Sequence, residues 1–185
     1  MKLTLLFSSI LLGLLLFPGF APSAAGQSLP EPRQSPLGLS RVMLDDDSYV
    51  KIVYGRPQMR GREVFGQLVP YGEVWRTGAN EATEITLAQP IRVEGELLEA
   101  GTYSVFSIPQ EESWTIIFNE QLGAWGAYSY DEAADVMRAE VPVERIQEPA
   151  EAFTIMFEQE ENAQEAHLVM QWETTRVQLL LQPAD

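Results

Sequence analysis

The chain has 185 residues, which at roughly 100–200 residues per domain leaves no room for two full domains. Hydrophobic residues make up 45% and charged residues 21%, a globular rather than a disordered composition. The net charge of −15 argues against a nucleic-acid partner or an anionic membrane, because binding to either needs a basic surface. With no cysteine and one histidine, His167, the sequence predicts no disulfide and no metal site.

Residues 1–26 predict a signal peptide that is cleaved. Lys2 precedes an apolar run, and the small residues after it place Ser23 and Ala25 in the spacing of a cleavage site. An uncleaved anchor is the alternative, since the run of about 18 residues is near the lower limit for a membrane span. No cysteine follows the run, so the pattern excludes a lipoprotein. We therefore expect a soluble periplasmic or secreted protein with no stable membrane anchor.

Residues 27–38 contain Pro30, Pro32 and Pro36 and predict an extended N-terminal tether. A single β domain is expected over residues 39–185. Within it, apolar residues recur with a period of two in short runs bounded by Gly, Pro and Asn, which is typical of strands. The runs are 49–54, 83–87, 91–93, 103–108, 114–118, 153–157, 168–172 and 177–181. The prediction is a β-sandwich or barrel-like domain of about nine or ten mostly antiparallel strands.

Two segments allow more than one structure. Residues 131–137 could form one or two helical turns capped by Asp131, or the region could be a strand over 136–143 that Pro142 ends or bends. At most one short helix is expected. The polar stretch Glu173–Thr175 predicts a turn, and with it a terminal hairpin from Ala166 to Gln182.

Residues 56–81 differ from the rest of this acidic chain, because several arginines are concentrated there with glycine, proline and aromatic residues. A long, turn-rich connection of this kind inside a small domain is usually functional or firmly tied down. The candidate ligand-binding residues in it are Arg56, Arg62, Tyr71, Trp75, Arg76, Asn80 and Glu81.

The run Arg76 to Glu81 is the densest part of this segment. The Arg76 guanidinium suits a carboxylate or phosphate, Asn80 can bond a hydroxyl, and Gly78 can supply a positive φ at no steric cost. These residues predict a site for a small polar or anionic ligand. The alternative is internal, with Arg76 paired to Glu81 or Glu73 as a brace for the loop.

A second aromatic segment includes Trp125 and Tyr128, with Gly123 and Gly126 close by. These rings could stack on a sugar and extend the ligand site. The sequence favours the other interpretation, that they pack into the core, because Trp and Tyr bury large areas.

The common catalytic arrangements fit the sequence poorly. A Ser-His-Asp triad would have to use His167, which lies in a predicted strand, and no G-x-S-x-G elbow is present. The sequence has no P-loop and no dinucleotide-binding fingerprint, so no cofactor is predicted. Glu81 is the one candidate for a general acid or base, because it lies beside Arg76 and Asn80.

Several motifs resemble the secreted bacterial proteins of domain-of-unknown-function family 2911. They are Arg56-Pro57, Gly61-Arg62, Phe65-Gly66, Leu68 to Gly72, Val74 to Glu81, Ala100 to Ser104, Ile108-Pro109, Trp114 to Asn119, Trp125-Gly126 and Trp172-Glu173. The likeness spans most of residues 36–182. Gly55 stands where the family typically has Ser, and Glu99 where Pro is common. The resemblance implies export and a small, mostly β domain, and it carries no activity or catalytic residues.

Three functional interpretations follow from the residues. The first is a non-enzymatic protein that binds a glycan or a small anionic envelope component through the Arg56–Glu81 loop, with a protein partner as a further candidate. The second is an envelope-acting hydrolase that uses Glu81. The third is a purely structural staple, which predicts that Arg76, Asn80 and Glu81 are buried and bonded to one another with no cavity nearby.

Overall fold

The computed structural model describes residues 32–161 and 163–184. The predicted signal peptide and residues 27–31 of the predicted tether lie outside the described residues. The first strand begins at Leu37, so the domain starts two residues earlier than the sequence predicted.

Ten strands confirm the all-β prediction. They are β1 (Leu37–Met43), β2 (Tyr49–Gly55), β3 (Thr83–Leu87), β4 (Ile91–Val93), β5 (Glu96–Leu98), β6 (Gly101–Pro109), β7 (Ser113–Asn119), β8 (Asp135–Pro142), β9 (Glu144–Glu158) and β10 (Ala166–Pro183). In the part of the chain that the structure describes, no helix is long and apolar enough to cross a membrane.

The strands form two antiparallel sheets that pack together as a sandwich. One sheet has the order β1-β2-β3-β6-β7-β8 and the other β5-β4-β10-β9. Side chains at alternate positions point inward, so Ile52 and Ile85 of the first sheet and Leu168 and Leu179 of the second are fully buried in one apolar cluster. This alternation is the period of two that the sequence shows.

Both alternatives for residues 131–137 are present in part. Asp131 caps a 3-10 turn over Glu132–Ala134, and its carboxylate accepts a hydrogen bond of 3.0 Å from the backbone N–H of Ala133. The turn ends at once, because β8 begins at Asp135 and runs to Pro142 as an alternating strand.

The predicted terminal hairpin is wrong, since β10 continues without a turn from Ala166 to Pro183. It pairs with β9 along its first part and with β4 at its end. The pairing register with β9 shifts around Glu173, which has a φ of 54°. The polar stretch is therefore a bulge in one long strand.

Two connections meet beside the start of β3. Trp75, in the connection between β2 and β3, pairs with Ser107 of β6 through hydrogen bonds of 2.7 and 2.9 Å. The pairing of β3 with β6 stops at Val105, which lies opposite Thr83, the first residue of β3. Trp75 pairs with β6 two residues further on. The connection between β7 and β8 reaches the same level, where Trp125 pairs with Glu81.

Candidate functional site

A cavity of about 520 Å³ lies where these connections meet the segment that precedes β1. Its size is within the range of small-molecule sites. We call it the arginine cavity, because its polar lining includes four arginines and three amide side chains: Arg33, Arg60, Arg62, Arg76, Gln34, Gln58 and Asn80. Among the residues that the structure describes, no aspartate, glutamate or histidine lines it, although the whole chain carries a net charge of −15.

Aromatic side chains of the core form part of the lining of the cavity. Trp75 and Trp172 both line it, and their rings stack with centroids 6.1 Å apart and planes 19° apart. Phe153 lies against both rings, and Trp114 meets Trp75 edge-on at 5.9 Å. Because these rings are buried and mutually packed, the cavity stands on a rigid part of the core.

The backbone of residues 75–80 is held in a strained conformation. Thr77 and Asn80 have φ angles of 51° and 66°, a region that a β-branched residue such as Thr rarely adopts. Thr77 is fully buried, and its hydroxyl lies 2.9 Å from the Ser107 hydroxyl while its carbonyl accepts a 2.6 Å bond from Thr83. Strain sustained by the surrounding structure is frequent at ligand sites.

Gly78 does not adopt the positive φ that the sequence allows it, since the positive φ angles of this run belong to Thr77 and Asn80. Gly78 is needed for close packing instead, since a Cβ there would lie 3.0 Å from the carbonyl oxygen of Gly55. A Cβ on Gly55 would lie 2.1 Å from the carbonyl oxygen of Ala79. The end of β2 and the wall of the cavity therefore touch backbone to backbone, which two glycines permit.

Three of the four arginines are bonded within the protein. Arg62 donates to the carbonyls of Met59 and Gln58 at 2.9 and 2.7 Å. Arg60 donates to the backbone carbonyl and side-chain oxygen of Gln34 at 3.0 and 3.4 Å. These acceptors are neutral, so the positive charges of Arg60 and Arg62 have no carboxylate partner among the described ion pairs.

Arg76 differs from the other three. Its Nε is buried and has no hydrogen-bond partner among the described residues. Burial lowers the pKa of Arg76, because removal from water disfavours the charged form. No described ion pair includes Arg76, so it does not brace the loop by pairing with Glu81 or Glu73.

Glu81 is bonded to Arg33 instead, by two hydrogen bonds of 2.6 and 2.8 Å. The hydrogen bond from Arg33 holds the pKa of Glu81 below its usual range. A general acid needs a raised pKa, and Glu81 does not line the cavity. Its position therefore gives no support to the hydrolase interpretation.

The structural staple interpretation predicted that Arg76, Asn80 and Glu81 are buried and bonded to one another with no cavity nearby, and the structure does not show this arrangement. Arg76 and Asn80 are half-buried, Glu81 is ion-paired to Arg33, and a cavity lies between these residues and the segment before β1. The Asn80 side-chain amide donates instead to the carbonyl oxygen of Ser35 at 3.5 Å.

Trp125 and Tyr128 of the second aromatic segment do not pack into the core, so the interpretation that the sequence favoured is wrong for these two rings. It holds for Tyr130 at the end of the segment, which packs against Phe106 with ring centroids 5.0 Å apart. Trp125 is 60% exposed and lines the arginine cavity, while Tyr128 is 90% exposed and lines an adjoining recess beside Arg76. The backbone around Trp125 is firmly held, because the N–H of Gly126 donates to the carbonyl of Asn80 at 2.9 Å.

The structure brings together Arg62, Trp75, Arg76, Asn80 and Trp125 of the predicted site residues. Arg56 and Tyr71 lie elsewhere: Arg56 donates to the Thr154 hydroxyl at 3.2 Å, and Tyr71 packs against the core.

The sequence did not single out Arg33, Gln34, Gln58, Arg60 or Trp172 as site residues. Arg33 and Gln34 fall in the predicted tether, and Trp172 lies far along the chain in a predicted strand. Gln58 and Arg60 belong to the arginine-rich segment 56–81, and this position was the available signal for them. Within residues 32–161 and 163–184, no group of three acidic or histidine side chains could hold a metal ion.

Comparison with known families confirms the resemblance seen in the sequence. The family model described as "Protein of unknown function (DUF2911)" matches residues 36–181. No curated protein and no solved structure matches the chain.

Proposed function

The chain belongs to the DUF2911 family of proteins of unknown function, and from its own geometry we propose that it binds a small anionic ligand in the arginine cavity. In this proposal the protein is an exported binding protein rather than an enzyme. A glycan fragment or another envelope component with an acidic group is the ligand class that the lining suits.

Arg76 carries the proposal. The Nε of Arg76 is buried and has no partner among the described residues, so this atom has lost hydration without gaining a hydrogen bond. A carboxylate or phosphate in the cavity that reaches the guanidinium offers it a charged acceptor, and a charge-assisted bond of this kind is about twice as strong as a neutral one. The free protein thus holds Arg76 ready for an anion.

The rest of the lining supports the same ligand. Arg60 and Arg62 add positive charge at a site whose described lining holds no acidic side chain, and this charge attracts an anion toward the cavity. The exposed indole of Trp125 offers a flat apolar face for a sugar or another ring, and Asn80 and Gln58 offer amide groups for hydroxyls.

Isothermal titration calorimetry with phosphate, glucuronate, glucose 6-phosphate and neutral glucose tests the proposal. We expect the anions to bind more tightly than glucose, and Arg76→Gln to weaken their binding by about tenfold or more, because it removes a charge-assisted hydrogen bond.

Arg41→Gln is the matched control, since Arg41 is exposed on β1 and does not line the cavity. It should leave the affinities unchanged. Anion binding that Arg76→Gln does not weaken, or equal binding of glucose and its phosphate, would contradict the proposal.

A further inference from the structure

The segment that precedes β1 forms one wall of the arginine cavity. Arg33, Gln34 and Ser35 line the cavity, yet the family model matches the chain only from residue 36. This wall therefore lies outside the matched span. It adds a fourth guanidinium to the three that the matched span supplies.

Polar contacts hold this wall in place. Arg33 is ion-paired to Glu81, the carbonyl of Gln34 accepts a 3.0 Å bond from Arg60, and Ser35 accepts from Asn80. The side chains of Arg33 and Glu81 are 44% and 41% exposed, and exposed ion pairs contribute little to stability. Arg33 can therefore leave Glu81 at low cost when another anion is available.

The charge in the cavity exceeds what one anionic group can balance. Arg60, Arg62 and Arg76 have no described carboxylate partner, and the nearby Glu151 accepts the backbone N–H of Arg60 rather than forming an ion pair. A single carboxylate or phosphate on Arg76 would leave Arg60 and Arg62 bonded to neutral groups. A second anionic group on the ligand would balance more of this positive charge.

Building on the proposed function, we propose that the arginine cavity selects a ligand with two anionic groups. Arg76 binds the first group, and Arg33 exchanges Glu81 for the second. In the free protein the Glu81 carboxylate occupies the fork of Arg33 and stands in for the ligand. The anionic groups can be carboxylates or phosphates, because guanidinium binds both through paired hydrogen bonds.

Two pairs of probes that differ by one anionic group test this selectivity in calorimetric titrations at neutral pH. Gluconate and glucarate are six-carbon acids with one and two carboxylates, and fructose 6-phosphate and fructose 1,6-bisphosphate have one and two phosphates. We expect the doubly anionic member of at least one pair to bind about tenfold more tightly. The pair that shows the preference identifies the anionic group.

Arg33→Gln and Glu81→Gln separate a ligand contact from a structural role. If Arg33 binds the ligand, Arg33→Gln reduces the preference to about twofold or less, while Glu81→Gln keeps or raises it by removing the competing carboxylate. If the ion pair merely holds the wall in place, both substitutions break it and weaken binding alike. That result would overturn the proposal.

Arg176→Gln is the control, because Arg176 forms a similar two-bond ion pair with Glu158 away from the cavity. It should leave the preference unchanged. Binding of both members of each pair with equal affinity overturns the selectivity alone. Failure of all four probes to bind the unsubstituted protein overturns the proposed function as well.

Discussion

Arg33 and Glu81 form a two-bond ion pair across 48 residues of sequence, with Nη1–Oε2 and Nη2–Oε1 distances of 2.6 and 2.8 Å. Glu81 stands five positions after Arg76, yet its carboxylate is bonded to Arg33. The guanidinium of Arg76 therefore has no carboxylate partner among the described ion pairs. One ion pair both attaches the segment before β1 and holds the Glu81 carboxylate away from Arg76.

Arg76→Met should leave the free energy of unfolding unchanged or raise it by about 1 kcal/mol. A partly buried charge without a described partner destabilises the folded state, and an apolar side chain of similar length removes that cost. Urea denaturation measures the change. A loss of about 3–5 kcal/mol would instead indicate that Arg76 belongs to a buried ion pair.

Gly55→Ala should destabilise the protein by about 3 kcal/mol, because the new Cβ would lie 2.1 Å from the carbonyl oxygen of Ala79. The backbone around Ala79 must move, so anion affinity should fall as well. Gly95→Ala is the control, since Gly95 has a φ of 85° and open space around it, and should cost about 1–2 kcal/mol. Equal losses in the two variants would show that the contact with Ala79 is unimportant.

Glu81→Gln should change the pH dependence of stability. Arg33 lowers the pKa of Glu81 in the folded state, so the ionised carboxylate contributes stability above the unfolded pKa of about 4.3. That contribution is lost as pH falls through the lowered pKa. Thermal melts should show a small loss for Glu81→Gln at neutral pH and none in strong acid. A difference that persists in acid would point to a cause other than ionisation.

Tyr130→Phe should remove a loss of stability at high pH. Burial, with a 2.6 Å hydrogen bond to Asp135, raises the pKa of Tyr130 from 10.0 to about 12. The unfolded chain therefore ionises first, and Tyr130 contributes stability that is present below pH 10.0 and lost as pH rises to about 12.

Burial also raises the pKa of Tyr103, so tyrosinate absorbance should show late titration in the folded protein, and Tyr130→Phe should remove the part that belongs to Tyr130. Denaturation of both proteins across the same pH range measures the change in slope. Parallel slopes would show that Tyr130 titrates normally.

The strands were predictable because a half-buried strand alternates apolar and polar residues. β10 shows where this signal is ambiguous. Leu168, Met170 and Trp172 are buried at even positions, and Val177 and Leu179 at odd positions. A hairpin and a bulge both produce this change of parity, and the polar residues between suggested a turn. The pairing of β10 with both β9 and β4 makes the polar stretch a bulge. Such long-range contacts are invisible in one sequence.

The cavity was predictable only in part, because the long-range contacts that form it are also invisible in one sequence. The local concentration of arginines identified Arg62, Arg76 and their neighbours. The bond between Arg33 and Glu81 is set by the fold, and Arg33 lies in a proline-rich stretch that resembles a linker. Exposure of Trp125 also depends on the fold, because the bond from Gly126 to Asn80 holds the turn at the mouth of the cavity.

The placement of the four tryptophans gives the protein a built-in optical probe. Trp75, Trp114 and Trp172 are at most 7% exposed, whereas Trp125 is 60% exposed beside the cavity. A soluble quencher such as acrylamide should therefore extinguish the long-wavelength emission of Trp125 and spare the blue-shifted emission of the other three. A ligand seated against Trp125 should protect it from the quencher, so occupancy can be followed by fluorescence in the unlabelled protein.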